Sequence, residues 1–82
     1  MNPSICRMAV VKGKSLVSNG IDEHPAVINR AWSPSCVNLT VFPDCGTSYS
    51  RTSVPFYQSR EEAENYLVLN PNNIAAFWPD RV

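Results

Sequence analysis

Arginines stand beside aromatic residues twice in the second half of this chain, in Tyr49-Ser50-Arg51 and in Phe56-Tyr57-Gln58-Ser59-Arg60, and Trp78 lies near its end. A flat ring stacks on a nucleobase and a guanidinium forks a phosphate. Tyr49, Arg51, Phe56, Tyr57, Arg60 and Trp78 therefore form the candidate ligand-binding set, and a small nucleotide is the ligand that set suits. Arg30 is a further cation able to converge with Arg51 and Arg60. The same residue types also pack barrel cores and enrich subunit interfaces, so packing is the competing explanation.

Residues for covalent or metal chemistry are sparser. Gly13-Lys14-Ser15 matches the end of a phosphate-binding loop. That motif needs another glycine five positions earlier, where Met8 stands, and a helix behind it. Leu16-Val17-Ser18-Asn19-Gly20 is a poor helix, so a strand-edge turn is expected. Asp22, Glu23 and His24 are consecutive, and consecutive side chains diverge where a metal requires them to meet; they read as a solvated loop. His24 is the one histidine in the chain and would have to serve any nucleophilic triad, yet no G-x-S-x-G elbow or activated cysteine accompanies it. The expectation is a protein with no catalytic residues, no metal and no cofactor. Asn38-Leu39-Thr40 matches a glycosylation sequon but reads simply as strand.

The elements that position these residues must fit in 82 residues. A chain of that size is one domain that buries only about 60–65% of its unfolded surface. Forty-four per cent of its residues are hydrophobic, which argues against disorder. Apolar surface left over by a thin core favours self-association, so a homo-oligomer is expected. Seven basic residues balance seven acidic ones. That balance argues against a general nucleic-acid binder and against a polybasic membrane-surface protein. The apolar run Met8-Ala9-Val10-Val11 ends at Lys12, too short for a membrane span or a signal peptide, and a reducing cytoplasm is expected. Cys6, Cys36 and Cys45 contain no C-x-x-C pair. An extended strand between Cys36 and Cys45 would hold them about 25–30 Å apart, far beyond disulfide reach.

Residues 1–8 have no period and read as a loose lead-in whose order depends on a neighbouring subunit. Residues 9–17 read as a first strand with a kink or turn at Gly13, and Ser18-Asn19-Gly20 as a turn that continues as a loop through Asp22-Glu23-His24-Pro25. Ala26 to Trp32 is rich in strand formers, and Ser33-Pro34-Ser35 turns the chain. Val37-Asn38-Leu39-Thr40-Val41-Phe42 alternates with a period of two, placing Val37, Leu39 and Val41 inward and Asn38 and Thr40 outward. Pro43-Asp44-Cys45-Gly46 closes that strand, and Ser48 to Val54 forms another, stopped by Pro55. Ser59-Arg60-Glu61-Glu62 is a capping box. It opens a helix over 59–69 whose apolar face is Ala63, Tyr66 and Leu67. Asn70-Pro71-Asn72-Asn73 ends the helix, and Ile74 to Trp78 supplies a last short strand.

His24-Pro25-Ala26-Val27-Ile28, Val37 to Asp44, Ser53-Val54-Pro55 and Trp78-Pro79-Asp80 together resemble small SH3-like β-barrel proteins encoded by tailed phages, most of them without an assigned function. The resemblance runs from about residue 24 to the end; its motifs are specific as a set and weak singly. It departs from the family pattern at the helix over 59–69. It implies a mainly β, small SH3-like antiparallel barrel over residues 9–82, with one short α-helix before the last strand, and a phage or prophage gene expressed in the host cytoplasm. With the arginine–aromatic set, the expected function is non-enzymatic binding: a counter-defence sponge that sequesters a small, cyclic-type nucleotide signal. The alternative is a protein-interaction module that inhibits a host enzyme.

Overall fold

The computed structural model describes residues 2–79; Met1 of the lead-in, Asp80 of the terminal Trp78-Pro79-Asp80 motif, Arg81 and Val82 lie outside them. Strands β1 (Met8–Lys12), β2 (Glu23–Ser33), β3 (Cys36–Val41), β4 (Tyr49–Tyr57) and β5 (Ala75–Phe77) close into a barrel in chain order, and helix α1 (Arg60–Leu69) precedes β5. The architecture is the expected one: mainly β, a small SH3-like barrel with a short helix before the last strand. β1 to β4 form an antiparallel meander, and β5 pairs antiparallel with β1. β4 and β5 are parallel, through Phe56–Ala76 and Tyr57–Phe77. A parallel pair needs a crossover, and α1 provides it.

The period of β3 does what its sequence predicts. Val37, Leu39 and Val41 are fully buried, while Asn38 and Thr40 lie on the outer face. There Thr40 Oγ1 donates to Asn29 Oδ1 at 2.7 Å. Asn38 Oδ1 accepts from Trp32 Nε1 at 2.8 Å and from the Ser53 N–H at 2.9 Å. Ser53 has φ 54° beside a register shift between β3 and β4, so Asn38 satisfies an amide that a bulge turns away from the ladder. The turn at Asn19-Gly20 is also as expected. Both residues have positive φ, and Ser18 and Ile21 exchange two backbone hydrogen bonds of 2.8 and 3.0 Å. Asn19 Nδ2 then donates to Asp44 Oδ2 at 2.7 Å and Ser18 Oγ to the Cys45 carbonyl at 2.6 Å, clipping this turn to the β3–β4 loop.

Three local expectations are corrected. The first strand, expected over 9–17, ends at Lys12; the turn expected at Gly13 is present as a single 3-10 turn, Lys14–Leu16, which inserts the buried Leu16 into the barrel. Glu23, His24 and Pro25 belong to β2 and not to a loop. His24 is 2% exposed, and its Nε2 donates to the Leu16 carbonyl at 2.7 Å, which ties the 3-10 turn to the barrel wall. Pro55 does not stop β4: it sits opposite Cys36, and the Phe56 N–H resumes bonding to the Ser35 carbonyl at 2.9 Å. A proline lacks only its own donor, so a strand runs through it where that donor is not used.

The core has two parts. Inside the barrel lie Val11, Leu16, Ile28, Leu39, Val54 and Phe56, among others. Between barrel and helix lie Ala63, Ala75 and Phe77, with Val10, Tyr57, Tyr66 and Leu67 packed against them. Alternation along β5 sends Ala76 inward and its two neighbours outward under α1. Ser59 caps the helix as predicted: its Oγ accepts the Glu62 N–H at 3.3 Å and its hydroxyl reaches Glu62 Oε1 at 3.3 Å. The lead-in follows β2, with the Cys6 N–H on the Ile28 carbonyl and the Ile28 N–H on the Arg7 carbonyl, both at 2.9 Å. Cys6, Cys36 and Cys45 are free thiols. No helix among the described residues is long and apolar enough to cross a membrane.

Gly13 passes tightly against the segment that leads into β5. A Cβ there would stand 2.6 Å from Ile74 Cγ2 and 2.9 Å from the Asn73 carbonyl oxygen. Its φ of 166° is extended, so crowding alone requires the glycine. Gly13→Ala should cost about 1–3 kcal/mol, as overpacking does, read from urea denaturation. His24→Leu, which leaves the buried Leu16 carbonyl without a donor, should cost a similar amount, about 1–3 kcal/mol.

Candidate functional site

The six residues singled out by type and spacing are distributed over four places. The period of two along β4 separates Phe56 from Tyr57. Phe56 is 2% exposed inside the barrel and meets Trp78 edge-on, with centroids 4.8 Å apart. Tyr57 faces the helix side, where its ring lies 5.3 Å from that of Tyr66. Burial raises the Tyr57 phenol above its ordinary pKa, and the neighbouring Tyr66 and Glu62 add to the effect.

Arg60 belongs to an ion cluster at the junction of helix and barrel. Its Nη1 and Nη2 fork the Glu23 carboxylate at 2.6 and 2.8 Å, and the guanidinium lies 4.9 Å from the Phe77 ring centroid. Lys12 Nζ stands 3.5 Å from Glu64, 3.7 Å from Glu23 and 4.0 Å from Asp22. The cluster joins β1, the start of β2 and α1. Asp22 and Glu23 thus face cations outside the barrel while His24 points into it, so the three do not meet at one point.

Tyr49 and Arg51 do stay together. They are two residues apart in β4, and the guanidinium lies 4.5 Å from the tyrosine ring centroid. Arg51 Nη1 donates to the Ser50 carbonyl at 3.1 Å. Arg51 pairs in register with the buried Leu39, whereas Arg30 pairs with the outward Asn38. The two arginines therefore leave opposite faces of the sheet, and Arg30 stacks 3.8 Å from the ring of Trp32. Arg30, Arg51 and Arg60 do not converge; each has an aromatic partner of its own.

Arg51 opens onto a groove of about 400 Å³ along the seam between β4 and the segment leading into β5. β5 is three residues long and meets β4 only at Phe56 and Tyr57. The preceding stretch of β4 has β3 on one side and this groove on the other. Ser15, Thr52, Ser53, Tyr66, Asn72 and Asn73 line it with hydroxyls and amides, and Asn73 Nδ2 donates to Tyr66 Oη at 2.8 Å. Arg51 is the one charged residue of the lining, and no carboxylate pairs with it among the described residues. Of the sequence-selected set only Arg51 is in this lining. The polar residues around it come from the 3-10 turn, the β4 bulge, the helix and the turn after it, and no local motif joins them.

No family model, curated protein or solved structure matches the chain.

The ion cluster sets an acid limit. The hydrogen bonds from Arg60 hold the Glu23 carboxyl below its ordinary value, against the opposing effect of partial burial, and Arg60 and Lys12 charges assist. A depressed carboxylate contributes stability that is complete above its unfolded-state pKa and is lost as pH falls through its folded-state value. Wild-type protein should therefore melt above Glu23→Gln at neutral pH, and the two melting curves should converge as pH drops below about 4.5. A difference that persists unchanged into acid would contradict this role for Glu23.

Proposed function

We propose that this protein is a non-enzymatic binding module whose seam groove takes a small anion of the nucleotide class. One observation carries the reading: among the described residues the groove presents a single guanidinium, steadied by the Tyr49 ring and the Ser50 carbonyl, and no carboxylate. A guanidinium has five N–H donors in a planar fork, so donors remain for a phosphate. The surrounding hydroxyls and carboxamides suit ribose and base edges. One cation in a groove of this size matches the single charge of a phosphodiester better than the several charges of a triphosphate. The resemblance to tailed-phage barrel proteins supports a biological version, in which the protein sequesters a cyclic-type nucleotide signal in the host.

A second reading rests on Trp32, which is 53% exposed although its indole N–H is held by Asn38 and its ring is covered on one side by Arg30. A rigid exposed tryptophan beside an arginine has the composition of a protein-binding hot spot, as an inhibitor of a host enzyme would need.

Calorimetric titration with mononucleotides, cyclic nucleotides and ADP-ribose tests the first reading. Charge-assisted hydrogen bonds contribute about 1.5–3 kcal/mol, so Arg51→Ala should weaken binding roughly 10- to 100-fold, and Trp32→Ala should leave it unchanged. The ligand released by heating should be chemically intact. Absence of binding across the panel, binding indifferent to Arg51→Ala, or recovery of a cleaved ligand would each overturn the reading. A stoichiometric protein partner lost on Trp32→Ala would favour the second one.

A further inference from the structure

The outer stripe of α1 carries acid at one end and exposed hydrocarbon at the other. Glu61 and Val68, and likewise Glu62 and Leu69, are seven residues apart, so each pair shares one line of the helix surface. Val68 is 77% and Leu69 81% exposed, the highest values among the exposed large hydrophobic residues. Leu67 and Val68 form one wall of a cavity of about 310 Å³, and Lys14, Asp22 and Pro71 contribute to the others. Val17 and Ile21, in the same connection between β1 and β2, are 57% and 44% exposed. The charges at the two ends of this surface have no ion-pair partners among the described residues: Lys14 meets no carboxylate, and Glu61 and Glu62 meet no cation.

We propose that this face is an interface between two copies of the chain, related by a two-fold axis beside Val68 and Leu69. A two-fold interface must be complementary to itself, and this one is. Rotation about that axis lays the apolar patch of one copy on that of the other and sets the two helices antiparallel. Glu61 and Glu62 lie roughly 10 Å along the helix from the patch. In the antiparallel arrangement they project past the axis toward the side where Lys14 of the second copy flanks the apolar cavity. Unpaired acid then meets unpaired base at both ends, and the cavity receives an apolar side chain from across the axis. A parallel arrangement would bring like charges together instead. The surface shares no residue with the Arg51 lining, so the proposal does not rest on nucleotide binding.

Sedimentation equilibrium over a broad concentration series provides the test, with far-UV circular dichroism as the check on folding. Wild-type protein should reach twice the chain mass. Val68→Glu and Leu69→Glu change solvent-exposed positions, so both should stay folded and sediment as monomers. Lys14→Glu should weaken dimerisation about two- to fivefold, as partly exposed ion pairs do, and adding Glu61→Lys with Glu62→Lys should restore it. A wild-type monomer at every concentration, a dimer unmoved by Val68→Glu and Leu69→Glu, or a charge swap that fails to restore association would overturn the proposal.

Discussion

The barrel is held shut on one side by two parallel residue pairs, Phe56 with Ala76 and Tyr57 with Phe77, and much of the molecule exists to bring them together. Parallel pairing requires the chain to return to the starting end of the sheet, so a helix has to be built between β4 and β5. That helix needs its own cap and its own apolar face, and the cluster of Ala63, Ala75, Phe77, Tyr66 and Leu67 is the second core it creates. The residues that lead into β5 pass so close to Gly13 that no side chain fits there. The brevity of β5 has a further result. It leaves the first part of β4 without a second strand, and that gap is the groove onto which Arg51 opens.

Electrostatics follow the same division of labour. The formal charge of zero conceals a segregated surface. Asp22, Glu23 and Glu64 gather around Lys12 and Arg60 where the helix meets the barrel. The bidentate fork between Arg60 and Glu23 crosses from α1 to β2, so charge reinforces a junction that is also apolar beneath. Arg30 and Arg51 remain outside this compensation on other faces. A whole-chain sum is therefore a weak guide to what any one surface attracts.

Much of the architecture was legible from the residues. The alternation of Val37, Leu39 and Val41, the Asn19-Gly20 turn and the Ser59 cap are local signals, and each led to the right element. His24 was not legible, because its place inside the barrel depends on a carbonyl that Leu16 supplies from the 3-10 turn before β2. Pro55 misled because the rule that proline ends strands concerns its missing donor, and here the neighbouring pairs carry the ladder past it. The candidate site was legible only in part. Arginine–aromatic spacing found Arg51 and its stacking on Tyr49. The same spacing grouped Phe56, Tyr57 and Arg60, which strand alternation and an ion pair send to different surroundings. The groove's polar lining comes from four separate segments, a juxtaposition that only the closed barrel creates.

The carboxamide of Asn38 bears on how the sheet finds its proper alignment. It receives one hydrogen from the indole of Trp32 on β2 and another from the amide of Ser53 on β4. A slip of β3 by one position would turn Asn38 into the interior and orphan both donors at once. Apolar side chains such as Val37, Leu39 and Val41 are similar enough to tolerate several alignments, whereas this one amide recognises a single arrangement of three strands. Its two hydrogen bonds therefore reinforce the alignment that burial of Val37, Leu39 and Val41 already favours.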